Sequence, residues 1–89
     1  MINDQFDNTI DSVVAPARQC FAITPDDVEP LSVLPKALYV GTGGDLVVRS
    51  IDGMEDVTLR NVPDGSIIDI RTIAVRSSGT TATDLVGLA

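Results

Sequence analysis

The chain has 89 residues, with 13 Asp+Glu against 6 Lys+Arg, no His, one Cys, no Trp and a formal net charge of −7. That length allows one small domain with a thin core, and with only Phe6, Phe21 and Tyr39 as aromatics the core must be aliphatic. The lack of His removes the commonest general base and metal ligand, the lone Cys excludes an internal disulfide, and the acidic balance argues against nucleic acid, whose phosphates are bound by Lys and Arg.

The N-terminal part differs from the rest. Residues 1–35 carry a local charge of −5 and contain Pro16, Pro25 and Pro30, with Pro35 at the boundary, whereas the remainder carries −2. The opening stretch lacks the basic and apolar regions of a signal peptide, and no apolar run approaches the ~20 residues of a membrane span. A soluble product made in a cytoplasm, with no membrane partner, is expected. Ile2, Phe6, Ile10 and Val13/Val14 recur at helical spacing, but the Asn, Asp and Thr between them are poor helix formers. The segment reads either as a disordered tail or as one that orders when its apolar stripe meets a partner. Pro16 ends any helix there. We assign residues 1–19 to an N-terminal arm and 20–89 to a β body.

Cys20 to Thr24 is an apolar run ended by Pro25-Asp26-Asp27 and reads as a strand, with Cys20 as a buried structural thiol. Lys36–Val40 is the next strand, stopped by a turn at Gly41-Thr42-Gly43-Gly44. Asp45–Ile51 follows and ends at Asp52-Gly53, a hairpin signal because both residues tolerate positive φ. Asp56–Asn61 alternates, with Val57 and Leu59 on one face, as in a strand with one buried and one wet face. After a Val62-Pro63-Asp64-Gly65 turn, Ser66–Arg76 reads as one long strand at the centre of the sheet, with Asp69 and Arg71 pairing across it. A Ser/Thr-rich loop and a closing strand, Asp84–Leu88, complete the chain. About six short strands with frequent turns predict an all-β fold, a small antiparallel sandwich or barrel.

Chemistry is harder to place. Gly41-Thr42-Gly43-Gly44 precedes a strand rather than a helix and has no adjacent Lys, so it reads as a turn and not as a phosphate cradle. Asp52, Glu55 and Asp56 do not follow the spacing of a calcium loop, and Asp26-Asp27 with Glu29 reads as a solvated acidic loop. Paired carboxylates would suit glycoside hydrolysis, with Asp69 the first choice, but the thin body offers neither a deep pocket nor a Trp platform. Ser77, Ser78, Thr80, Thr81 and Thr83 have no His to activate them and read as hydroxyls that satisfy loop backbone. No catalytic residue, metal or cofactor is expected. What remains is a binding or building module whose sheet edges are covered by self-association.

Three segments resemble the head spike base proteins of gene transfer agents and related tailed phages. They are Ala15-Pro16-Ala17-Arg18 with Phe21-Ala22-Ile23-Thr24-Pro25-Asp26-Asp27, then Ala37 to Leu46 around the glycine turn, then Asn61-Val62-Pro63-Asp64-Gly65 with Gly79-Thr80-Thr81-Ala82-Thr83-Asp84-Leu85-Val86. They span roughly residues 13–88 in the family's order, and the extension before Val13 is expected to have no counterpart. The resemblance implies a non-enzymatic virion protein of the capsid exterior, either a head spike base at vertices that carries a fibre protein or a cement protein at threefold junctions. It also implies the major capsid protein as partner and self-association as a trimer or pentamer. Ile2, Phe6, Ile10, Val13 and Arg18 are the expected capsid- or subunit-binding residues. The alternative from another class is a carbohydrate- or receptor-binding module of a fibre or tail tip.

Overall fold

The computed structural model describes residues 16–89. These form seven strands and, among the described residues, no helix: β1 (Cys20–Ala22), β2 (Ala37–Thr42), β3 (Gly44–Ser50), β4 (Val57–Val62), β5 (Ser66–Ile68), β6 (Thr72–Arg76) and β7 (Thr83–Leu88). They build an antiparallel β-sandwich, one of the two architectures that the turn spacing predicts. One sheet has four strands in the order β1-β7-β2-β5, and the other three in the order β4-β3-β6.

Alternation along the strands sets the core. In β2, Leu38 and Val40 are fully buried while Tyr39 faces out, and in β7 Leu85 and Gly87 face in. Leu46, Val48, Val62 and Val75 come from the opposing sheet, and Ile23 and Ala82 close the ends of the same cluster. Burying one such aliphatic side chain contributes roughly 1.5–3 kcal/mol. Thr72, the one buried polar residue among those described, donates its hydroxyl to Ile70 O at 3.1 Å, so its burial leaves no unpaired donor. Phe21 lies opposite Gly87 and its ring occupies the place of the missing side chain, since a Cβ there would fall 2.5 Å from the ring.

The chain switches sheets at four corners: β2 to β3, β4 to β5, β5 to β6 and β6 to β7. The first differs from the expected glycine turn. Strand conformation runs through Gly41-Thr42 and resumes at Gly44, so Gly43 alone separates β2 from β3. Its backbone presses against the Pro63 corner, where a Cβ would stand 2.1 Å from Val62 O, and its N–H donates to Asp64 Oδ1 at 2.6 Å. Two corners thereby pin each other.

The expected central strand Ser66–Arg76 is two strands. β5 pairs with β2 at one sheet's edge, β6 pairs with β3 at the other's edge, and residues 69–71 turn the corner between them. Asp69 is exposed, and neither it nor Arg71 enters an ion pair among the described residues, because the corner takes both off the ladder. Cys20 is exposed rather than buried: Phe21 and Ile23 take the inward parity of β1, which leaves Cys20 and Ala22 outward. β3 and β4 do form the expected hairpin, but neither Asp52 nor Gly53 takes positive φ. The turn instead closes through Gly53 N–H to Ser50 O at 2.9 Å. β4 is wetter than its alternation implies, because it is an edge strand and Val57 is 52% exposed. A bulge opposite Asp45, with Asn61 at φ 55°, twists this edge away from regular pairing.

Gly43→Ala should cost about 1–3 kcal/mol, since backbone rather than a flexible side chain must yield. The midpoint of thermal unfolding followed by circular dichroism should then fall by at least about 4 °C.

Candidate functional site

The two outer faces of the sandwich differ in chemistry. On the three-stranded sheet, Asp56 bridges two strands: Arg49 Nε lies 3.0 Å from Oδ1 and Arg76 Nε 3.2 Å from Oδ2. Asp45 is bound by Arg60 Nη1 at 3.1 Å and accepts from Asn61 N–H at 3.1 Å, which holds the bulge. Val47, also on this face, is covered by the loop after β6, with Gly79 packed above it and its N–H donating to Thr80 Oγ1 at 2.9 Å. Thr81 Oγ1 likewise accepts from Asp45 N–H at 2.9 Å. The Thr80 and Thr81 hydroxyls therefore serve backbone groups, as expected, whereas the Ser78 hydroxyl donates to the Asp27 carboxylate.

On the four-stranded sheet the register aligns Ala22, Val86, Tyr39 and Ile67 in one outward row and Cys20, Leu88 and Ala37 in the next. Neither row contains a charge. The sequence analysis missed this surface. The available signal was the unbroken apolar character of Cys20–Ile23, Ala37–Val40 and Leu85–Val86, which marks strands apolar on both faces.

The acidic segment after β1 is more than a solvated loop. Asp26 Oδ1 accepts from the backbone N–H groups of Val28 at 2.8 Å and Glu29 at 2.9 Å. Asp27 Oδ1 accepts from the N–H groups of Ser77 at 3.0 Å and Ser78 at 2.8 Å, while Oδ2 accepts from the Ser78 hydroxyl at 2.6 Å. The Ser78 hydroxyl and amide, then those of Ser77, hold the Asp27 carboxyl below its ordinary value near 3.8. The Glu29 and Val28 amides do the same for Asp26. The segment also covers the edge of β6, through Asp26 N–H to Val75 O and Leu31 N–H to Ile73 O, both 2.9 Å.

Beside this clamp runs an open groove of about 340 Å³, lined by Thr24, Pro25, Ser77, Thr83 and Asp84 among others, with no aromatic ring. Asp84 takes φ 55°, and its Oδ2 accepts from the Thr42 hydroxyl at 3.2 Å. No three His, Cys, Asp or Glu side chains among the described residues are grouped to hold a metal ion. No helix among them is long and apolar enough to cross a membrane. Of the expected contact residues, Ile2, Phe6, Ile10 and Val13 lie outside the described residues. Arg18 is exposed, and its backbone N–H, with that of Gln19, donates to Ala89 O beside the start of β1.

No protein-family model and no curated protein matches the chain. A solved structure does. One chain of the capsid of a native gene transfer agent particle, computed with fivefold symmetry, is 40% identical, with a TM-score of 0.79 over 98% of this chain and 100% of that one. The chain belongs to the capsid-associated proteins of gene transfer agents and phages. It is a virion structural protein. The match spans 98% of this chain and so reaches into the residues before Val13, for which no counterpart was expected.

In this capsid-associated protein the Asp27 clamp sets a pH response. A carboxyl held below its unfolded value contributes stability that is present above that value and is lost as pH falls through the folded one. Asp27→Ala should melt below the parent at pH 7, and the gap between the two melting midpoints should close as pH is lowered past about 4.

Proposed function

We propose that this protein stands on the capsid exterior as a head spike base or decoration protein, bound to the major capsid protein as a homo-oligomer, trimer or pentamer, and without enzymatic activity. The observation that carries the reading is the 40% identity to a chain of a native gene transfer agent capsid over nearly the full length. Physical features support it. Many copies joined in an oligomer and set on a repeated shell bind with avidity even when each contact is weak. A charge of −7 per chain on the outside keeps particles apart by mutual repulsion.

Ile2, Phe6, Ile10, Val13 and Arg18 are the residues we assign to capsid or subunit contact, within an arm of residues 1–19 leading into a body of residues 20–89. As a spike base, the oligomer would also hold a fibre protein at its outer end.

Purified protein should sediment as a trimer or pentamer and should co-sediment with shells assembled from the major capsid protein. Cryo-EM density at the vertices identifies a spike base, and density at threefold junctions identifies cement. A monomer that binds neither expanded nor unexpanded shells overturns the reading.

A further inference from the structure

Asp-Gly occurs twice in the chain, at Asp52-Gly53 and Asp64-Gly65, and Asn-Gly does not occur. Both aspartates are exposed, yet the fold holds the two pairs in opposite ways. We propose that Asp52-Gly53 is a site of spontaneous covalent modification, where aspartate rearranges to isoaspartate, and that the fold protects Asp64-Gly65 from the same reaction.

The chemistry needs only water. A glycine after the aspartate leaves its amide nitrogen unshielded and its backbone free to adopt the cyclising conformation. The Gly53 nitrogen, having given its proton to solvent, attacks Cγ of the protonated Asp52 carboxyl. The N–Cγ bond forms, the Cγ–OH bond breaks, and water departs to leave a five-membered succinimide. Water then opens the ring. Cleavage between nitrogen and Cγ returns aspartate. Cleavage between nitrogen and the main-chain carbonyl carbon gives isoaspartate, the nitrogen keeping the bond pair and taking up a proton. One water leaves and one enters, so mass is unchanged and nothing is oxidised or reduced.

Two motions precede attack: the carboxyl swings onto the next nitrogen, and that N–H leaves its acceptor. Both are opposed at Asp64. Its Oδ1 accepts from Gly43 N–H at 2.6 Å, which ties it to the neighbouring corner. Gly65 N–H donates at 2.7 Å to the carbonyl of Val40, a fully buried residue of β2, next to the Val40–Ser66 pair of the β2–β5 ladder. The Ser66 hydroxyl closes the same turn by donating to Pro63 O at 2.6 Å. Freeing Asp64-Gly65 therefore means peeling β5 from β2.

Asp52 is held by neither device. Its carboxyl has no hydrogen bond or ion pair among the described residues. Gly53 N–H donates at 2.9 Å to Ser50 O, three residues back in the same hairpin, so opening that turn alone releases it. Met54 beside it is 92% exposed and gives the turn no apolar anchor. Local opening of this kind requires far less free energy than separating paired core strands. The product lengthens the main chain by one atom within residues 51–56, between β3 and β4, and closing a slightly longer loop costs little. A virion structural protein is not replaced after assembly, so chains modified here accumulate as a particle ages.

The test incubates the full chain in heavy-oxygen water at mildly acidic pH, with and without denaturant, then digests it with trypsin in ordinary water. Cleavage after Arg49, Arg60 and Arg71 puts the two pairs on separate peptides, Ser50–Arg60 and Asn61–Arg71. Mass spectrometry reads the heavy oxygen retained at each ring opening, and an isoaspartate-specific methyltransferase reads the product. In the folded protein we expect Ser50–Arg60 to react at least about tenfold faster than Asn61–Arg71, and the two rates to converge in denaturant. Asp52→Glu, whose ring would need six members, should abolish the signal on Ser50–Arg60, with a melting curve showing that the variant is folded. Equal rates on the two peptides of the folded protein overturn the assignment, as does an absence of reaction at both until denaturant is added. Rates that stay apart in denaturant assign the difference to local sequence and overturn the protection of Asp64. A signal that persists in Asp52→Glu moves the reaction to Asp56 and overturns the site.

Discussion

A single aliphatic layer between two small sheets carries this structure. Leu38, Val40 and Leu85 from one sheet meet Leu46, Val48 and Val75 from the other, and among the described residues the one aromatic ring packed against this layer is the partly buried Phe21. Everything else in the fold serves to hold the two sheets at the spacing this layer requires. Where the strands change sheet, the backbone itself makes the contact, as Gly43 does against the Pro63 corner. Where the core is thinnest, Phe21 lies over Gly87 and fills the space a side chain would have taken. Close backbone approach suits a thin sandwich, because it brings apolar layers together with few atoms.

Polar chemistry in this molecule is used for construction. Asp27 gathers two amides and a hydroxyl of the loop after β6, Asp45 holds the bulge in β4, and Asp56 ties Arg49 to Arg76. Each carboxylate replaces contacts that a larger core would supply. Asp27 lies 50 and 51 residues from the amides it binds, so the acidic run Asp26-Asp27 reads locally as solvated loop. It becomes a clamp only when the loop after β6 is folded beside it. The same residues cover the edge of β6, which would otherwise offer unpaired backbone groups to a neighbouring chain.

The functional consequence is a two-sided module. One face carries ion pairs and a loop cover, and the other carries two uncharged rows beside Asp84. The chain is a virion structural protein related to a gene transfer agent capsid chain, and the two outer faces of its sandwich differ in chemistry. The groove beside Asp84 is open and lacks an aromatic ring to stack against a sugar.

Sequence alone determined that the chain is an all-β sandwich or barrel of short strands with an aliphatic core, because alternation and turn chemistry are local properties that survive without a partner strand. It also anticipated that Thr80 and Thr81 in the loop after β6 serve the backbone. The likeness of three segments to a capsid-exterior family was legible as well, and the 40% identical capsid chain agrees with it at the level of a virion structural protein. Only the tertiary structure decided how the strands divide between sheets. An apolar pattern running from Ser66 to Arg76 does not say that residues 69–71 turn a corner, since both halves remain inward-facing on either side of it. Nor does a run such as Cys20-Phe21-Ala22-Ile23 reveal which parity faces in. Pairing with β7 sets that, sending Phe21 to the core and Cys20 to the surface, and it is pairing across four strands that assembles the outward residues into one face. Local periodicity fixes that a residue alternates, whereas long-range registry fixes what it faces.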